Sequence, residues 1–453
     1  MYYARWATKQ EMSQRLTPVK VLGELEKSGI PLMYDEDTLY LDEREAHSLV
    51  IGATGSGKTQ ATILPLLNLS MKAKESIVLN DPNGEIYRVM KAQLEKEGYQ
   101  IVALDFSDAR YGNNWNPLDL PYRLYQENKT DQVVKALEKL GYYLLFDVSD
   151  SASDPFWVNS AIDFFIGLVL YLFEYASKEE IHLSSVWSLA EQVNEPGKSK
   201  QLLERIRYNS LIYLNLSGTL NAPPETRGSI VSVFQQKIKK YISRESLVNL
   251  LVKSDFDIVS VSNQPTALFI ISGNDSYCNN LIPLVVDQIM ESVELYGEKT
   301  RIVNILLDEF DSLVPIKEFS KMIDWARSCK VRFTVVVKSY NHLISMYGKE
   351  NTELLKMCFG NIIYLLSNDI YTLDEVSNMC GRTQLEDGKV VPLITVEELK
   401  VMNFFEAIVL IPRMMPFRTK LLPNYKIDWG YETVTTELLQ RETNEVTNYR
   451  FMG

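Results

Sequence analysis

Cysteine is scarce here: four residues in 453, widely scattered, with no CxxC pair and no Cys/His cluster. That argues against a zinc or iron–sulfur centre and leaves free thiols in a reducing compartment. Positive charge is also short. Lys and Arg number 47 against 59 Asp and Glu, a formal net charge of −12 with a pI near 5.1. A module that coats itself in DNA carries a basic surface, and this one does not. A local basic channel stays open, because net charge is a sum and nucleic acids read patches. There is no internal repeat and no low-complexity tract. The N-terminal MYYARWATKQ lacks a signal-type apolar stretch. The longest apolar run, Phe164 to Phe173, is bounded by Asp163 and Glu174 and falls short of the roughly 20 residues that a membrane-crossing helix needs. It reads as a buried helix, and the chain reads as soluble.

What is present is ordinary globular material, 46% apolar and 23% charged, enough for a sizeable core. The length allows two domains or one elaborated domain. SLVI (48–51), SIVLND (76–81) and YQIVALD (99–105) are compact apolar runs separated by a Gly-rich turn and helical stretches. This is the alternation of a parallel sheet covered by helices. Thr38–Leu41 alternates and reads as an edge strand. Segments 130–145, 158–177, 183–193, 198–208 and 225–252 are helical in character. Strand signals return at TALFIIS (266–272), VNILLD (303–308), VRFTVVV (331–337), NIIYLLS (361–367) and EAIVLI (406–411). The expected organisation is therefore α/β, with a nucleotide-binding domain split between 1–117 and 261–425. An all-α insertion occupies 118–260, and a polar tail, mobile or docking, occupies 426–453.

Gly52, Ala53, Thr54, Gly55, Ser56, Gly57, Lys58 and Thr59 satisfy GxxxxGK[ST]. Small residues let successive backbone N–H groups face phosphate oxygens, and the loop runs into a helix N-terminus that favours an anion. In this motif Lys58 reaches the β- and γ-phosphates of ATP and the Thr59 hydroxyl ligates Mg²⁺. A chance match in a chain of this length is on the order of one or two per cent, and the flanking strand and helix patterns sharpen it. The bland alternative is a Gly-rich turn.

Val303–Leu307 is an apolar strand that ends in Asp308 and Glu309. Charge belongs where a buried strand opens onto the crevice. Asp308 is suited to holding Mg²⁺ and Glu309 to polarising an attacking water. Taken alone, the pair is also what a strand followed by a solvated acidic turn would show. Asp81 and Glu85 stand at another strand end, where a simple turn explains them nearly as well. Trp115 and Trp157 read as packing anchors. Lys237-Ile238-Lys239-Lys240 is a candidate basic patch, though a solvated helix face is the commoner origin of such a cluster.

An ordered set of motifs then resembles a family, the coupling ATPases of type IV secretion and bacterial conjugation, often called TraG/TraD-like. The set comprises ARWATKQEM (4–12), His47, Asp81-Pro82-Asn83-Gly84-Glu85, Trp115-Asn116-Pro117-Leu118, Asp154-Pro155-Phe156-Trp157, Glu225-Thr226, Asp308-Glu309-Phe310, Arg327-Ser328, LITVEELK (393–400), Arg413 and Pro416-Phe417-Arg418. The resemblance spans nearly the whole chain. It implies a RecA-like P-loop domain carrying an inserted all-α domain, a homo-hexameric ring, and ATP-dependent transfer of DNA or a secreted protein into a type IV secretion channel at the inner face of the membrane. It also implies that Arg327 faces the neighbouring subunit's ATP. The chain departs from the pattern in three places. Lys338 follows VRFTVVV where the family usually has a γ-phosphate-sensing glutamine; it is expected either to bind phosphate as a second cation or to make turnover slow or differently coupled. Asn83 stands where lysine is common. The sequence begins where the soluble part of the family begins, so the membrane anchor is expected to be removed or separately supplied. The rival expectations are an ATP-binding docking or receptor module without motor activity and a protein-only exporter.

Overall fold

The computed structural model describes residues 3–146, 154–195, 197–273, 279–298 and 301–451; Cys278 lies outside them. The chain divides into two compact units. The first comprises 1–102, 259–271 and 290–437, and the second 103–258, 272–289 and 438–453.

The first unit begins with a helix, Lys9–Arg15, followed by β1 (Thr17–Lys20), β2 (Ile30–Asp35) and β3 (Thr38–Asp42), which form a small antiparallel sheet in the order β1-β3-β2. Thr38–Leu41 is thus its central strand and not an edge. Leu39 and Leu41 are buried against Leu69, Ile427 and Trp429, so the alternation records one covered face. The main sheet is built from β4 (His47–Gly52), β5 (Ser76–Asn80), β6 (Gln100–Asp105), β7 (Thr266–Ile271), β8 (Val303–Leu307), β9 (Val331–Val337) and β10 (Phe359–Leu366). A ribbon of β11 (Arg382–Gln384) and β12 (Val390–Pro392) stands apart. The sheet is completed by β13 (Glu406–Leu410) and β14 (Phe417–Lys420). Its order is β14-β13-β10-β4-β9-β8-β5-β7-β6. The pairs β10–β4, β4–β9, β9–β8, β8–β5 and β5–β7 are parallel, whereas β13 and β14 add antiparallel. Every residue of β4, β5, β7, β8 and β9 is buried, which is why these strands read as continuous apolar runs.

The second unit gathers helices Thr130–Leu145, Pro155–Tyr175, Leu183–Asn194, Lys198–Arg205, Leu211–Leu220 and Pro224–Ile242. The 21-residue Pro155–Tyr175 helix is long and apolar enough to cross a membrane, but 67% of its apolar window is buried among its neighbours. Phe164 and Phe165 pack there against Phe234. It is the core helix of this unit. The helix Leu211–Leu220 gave no clear periodic signal in the sequence, and 225–252 breaks into Pro224–Ile242 and Glu245–Leu251. Trp115 is buried edge-on to Phe106, and Trp157 is half-buried against Phe156. In the basic cluster, Ile238 is fully buried and the Lys240 ammonium lies 5.1 Å from the Tyr241 ring centroid.

The polar tail docks. In the first unit Ile427, Trp429 and Tyr431 join the core cluster with Leu39 and Leu69. In the second unit the main chain near the C-terminus is held residue by residue. Arg441 donates to the carbonyls of Tyr111 (2.7 Å) and Asn113 (2.6 Å), and His182 Nε2 lies 3.1 Å from the Thr447 carbonyl. Gln192 donates to the Tyr449 carbonyl and accepts from the Phe451 N–H. Around Gln440 the segment also pairs by main chain with residues 110–112, in an antiparallel bridge between Tyr111 and Gln440, and side chains take over the pairing further on.

Candidate nucleotide site

β4 ends at Gly52 and the chain turns through Gly55 and Gly57, whose φ angles are +79° and +86°. At Gly52 the obstacle is crowding: a Cβ would come within 2.4 Å of Ser56 Oγ. At Gly57 a Cβ would meet the Phe405 ring at 2.6 Å in addition to the left-handed backbone. The helix after the loop begins as a π-helical turn, Thr59–Ile63, and becomes regular at Leu64–Lys72. Such widened turns recur at functional sites.

β8 ends beside this loop. Thr59 Oγ1 donates to Asp308 Oδ2 at 2.8 Å, joining residues 249 positions apart in sequence. Lys58 Nζ donates to the Gly52 carbonyl at 2.6 Å and to the Ala53 carbonyl at 3.0 Å. Asp308 Oδ1 accepts from the Glu309 N–H, and Asn80 at the end of β5 donates to the Asp308 carbonyl. Glu309 is exposed and holds a left-handed backbone at φ +49°, a conformation that a non-glycine residue adopts at some energetic cost. That backbone turns its side chain out of the strand.

The electrostatics point to a site short of counter-charge. Burial lowers the Lys58 pKa, with Asp308, Asp311 and Glu309 opposing the shift and Lys338 adding to it. Burial raises the Asp308 carboxyl despite the Thr59 hydroxyl, the Glu309 N–H and Lys58. Burial also pushes Asp81 up to about 6, against N–H donation from Tyr87 and Ile86. Both members of the Lys58–Asp308 pair are thus shifted toward neutrality, so desolvation outweighs their mutual attraction. Ser56 Oγ, Gln60 Oε1, Asn80 Oδ1 and Asp311 Oδ1 are buried without partners. Of these, the Ser56 hydroxyl can donate to a phosphate, and the three acceptor oxygens are suited to a cation or its water shell.

Mg²⁺ fits the donors. The Thr59 hydroxyl and the Asp308 carboxylate are adjacent hard oxygens, and Mg²⁺ usually takes one or two carboxylates with phosphates and water. Among the described residues no group of three or more His, Cys, Asp or Glu is arranged to hold a metal. A metal here would share its coordination with the nucleotide.

Lys338 follows β9, the strand between β4 and β8, and so emerges between the loop and the acids. It is 3.3 Å from Asp311 Oδ2. Asp311 escaped the sequence reading; its only signal was that it lies one short turn beyond Asp308. Phe405 against Gly57 gave no signal at all. Arg327 does not join the site of its own chain. It is exposed and influences His47, at the start of β4. β4 spans six residues, so that end lies roughly 17 Å or more from Gly52 at the usual rise per residue.

No curated protein matches the chain in sequence. Among solved structures, the bacterial conjugative coupling protein TrwBdeltaN70, in a trigonal form with sulphate, is similar at a TM-score of 0.69 and 15% identity, covering 97% of each chain. The plasmid coupling protein TrwB in complex with ADP and Mg²⁺ gives 0.69 at 16% identity, covering 98% of this chain and 96% of that one. VirB4 of Thermoanaerobacter pseudethanolicus is more distant, at 0.50 and 15% identity over 89% of this chain and 99% of that one. At these identities the structures speak for the fold. The family evidence comes from the sequence match to the type IV secretory system conjugative DNA transfer family, which covers residues 5–390, and the chain belongs to that family.

Proposed function

We propose that this chain is an ATP-driven coupling ATPase that delivers a conjugative DNA or nucleoprotein substrate to a type IV secretion channel. The observation that carries the catalytic half is the 2.8 Å hydrogen bond between Thr59 and Asp308, with Lys58 and Glu309 alongside. In this reading the P-loop amides and Lys58 bind the phosphates, and Thr59 and Asp308 would hold Mg²⁺, which supplies charge neutralisation. Glu309 orients and deprotonates the attacking water. A solved relative in complex with ADP and Mg²⁺ supports the choice of ligands. Arg327, remote from its own loop, suits a role toward the nucleotide of a neighbouring copy in a homo-hexamer. The cargo and the channel components are the partners the family implies. They would place the protein at the inner face of the membrane.

The test is ATP turnover of the assembled protein with and without single-stranded DNA. Glu309→Gln is expected to lower kcat by about 10²–10⁴ while leaving ATP affinity nearly unchanged. Turnover that is negligible in the parent and unmoved by this substitution would favour the docking-module reading, to which the cation Lys338 in place of glutamine lends support. DNA binding that is insensitive to salt or absent would favour a protein-only exporter.

A further inference from the structure

Lys338 occupies a position where the family usually carries a glutamine, and its partner could not be read from the sequence. Lys338 Nζ lies 3.3 Å from Asp311 Oδ2, and His342 Nε2 lies 3.9 Å from the same oxygen. The Asp311 side chain is only 2% exposed, yet its other oxygen is buried without a partner. A buried carboxylate with only long contacts on one oxygen and none on the other is poorly satisfied, so its hold on Lys338 is open to competition from a stronger anion. Lys338 also acts on Lys58, lowering its pKa, while Asp311 raises it. The two cations therefore repel each other, and Asp308, Asp311 and Glu309 offset this; of the three, Asp311 is the one in contact with Lys338.

We propose that Asp311 is a positioning residue, the resting counter-ion of Lys338, which Lys338 exchanges for the terminal phosphate of a bound nucleoside triphosphate. This rests on the ATPase reading above. A glutamine in this place donates and accepts and carries no charge. A lysine only donates, and it brings a full charge that must be neutralised when no terminal phosphate faces it. Asp311 supplies that neutralisation in the diphosphate state. His342, on the helix Tyr340–Tyr347, is the second group within reach of Asp311 once Lys338 has moved. The exchange therefore links the number of phosphates to the environment of one helix.

The experiment measures equilibrium affinities of ATPγS and ADP, each with Mg²⁺, by calorimetry on the parent chain, Asp311→Asn, Lys338→Met and the double variant. Asp311→Asn removes the competitor and is expected to raise the preference for ATPγS over ADP about tenfold. Lys338→Met removes both charge and donor and is expected to lower that preference and to abolish the effect of Asp311→Asn in the double variant. The proposal is overturned if Asp311→Asn changes both affinities by one factor, or if its effect persists in the Lys338→Met background. If Asp311→Asn does not fold, an unchanged ATPγS preference in Lys338→Met overturns it as well. A parent chain that binds neither nucleotide would remove the ATPase reading and this inference with it. Normal binding with no coupling between the two positions removes this inference alone.

Discussion

Two buried carboxylates stand at opposite ends of the same sheet, and they are treated differently. Glu75, just before β5, accepts from the Ser28 N–H at 2.8 Å, the Ser28 hydroxyl at 2.5 Å and the Asn304 amide at 2.7 Å, and is paired with Arg332. Both of its oxygens are used. Asp311, just beyond β8, has long contacts to Lys338 and His342 on one oxygen and none on the other. At the amino end of the strands, burial of charge is balanced from within. At the carboxyl end it is left incomplete, and that is the end where parallel sheets bind ligands. The contrast separates a charge that holds the fold from a charge kept for a partner.

The sharpest way to break this comparison is at Glu75. Glu75→Ala strands Arg332 in the interior and is expected to cost about 3–5 kcal/mol in denaturant unfolding, with nucleotide affinity of the folded fraction unchanged. A loss under about 1 kcal/mol would mean the network is not structural. Lys58→Ala at the other end should show the inverse. ATPγS affinity falls about 100-fold or more, since a charge-assisted phosphate contact is removed, while the melting temperature without nucleotide holds or rises. A clear drop in that melting temperature would erase the distinction between the two ends.

The smallest expected effect concerns His47, buried at the amino end, where burial lowers its pKa to about 4. Its ring accepts from the Phe333 N–H at 3.0 Å. Because the folded pKa lies below the unfolded one near 6.5, the unfolded chain binds the proton more readily in between. The stabilisation is complete above about 6.5 and fades as pH falls through 4, by roughly 1.4 kcal/mol for each pH unit in between. His47→Asn should flatten this part of the stability–pH curve, and an unaltered slope would show that other groups set it.

The strands that run fully buried were legible because burial on both faces writes an unbroken apolar run, as in β8 and β9. β14 was not, since its burial alternates weakly and its position is fixed only by pairing with β13. β3 was seen as a strand but misplaced at an edge, because alternation reports one covered face and says nothing about how many neighbours pair with it. In the candidate site, the phosphate loop and the two acids after β8 were visible as local patterns. Asp311, Asn80 and Phe405 were not, because what marks them is whom they meet and not their neighbours in sequence. The tail was open between mobile and docked. Trp429 and Arg441 dock it through contacts with distant residues.

By itself the sequence determined the parallel sheet, the glycine-lined turn and the acids that follow a buried strand. Each of these is enforced by chemistry within a few residues: backbone freedom, apolar periodicity, and the cost of charge inside a strand. Only the tertiary structure decided that Thr59 meets Asp308, that Lys338 meets Asp311, and that Arg327 lies at the far end of β4. Those outcomes depend on the lateral order β4-β9-β8, which is set by packing across the whole sheet and leaves no local trace in the chain.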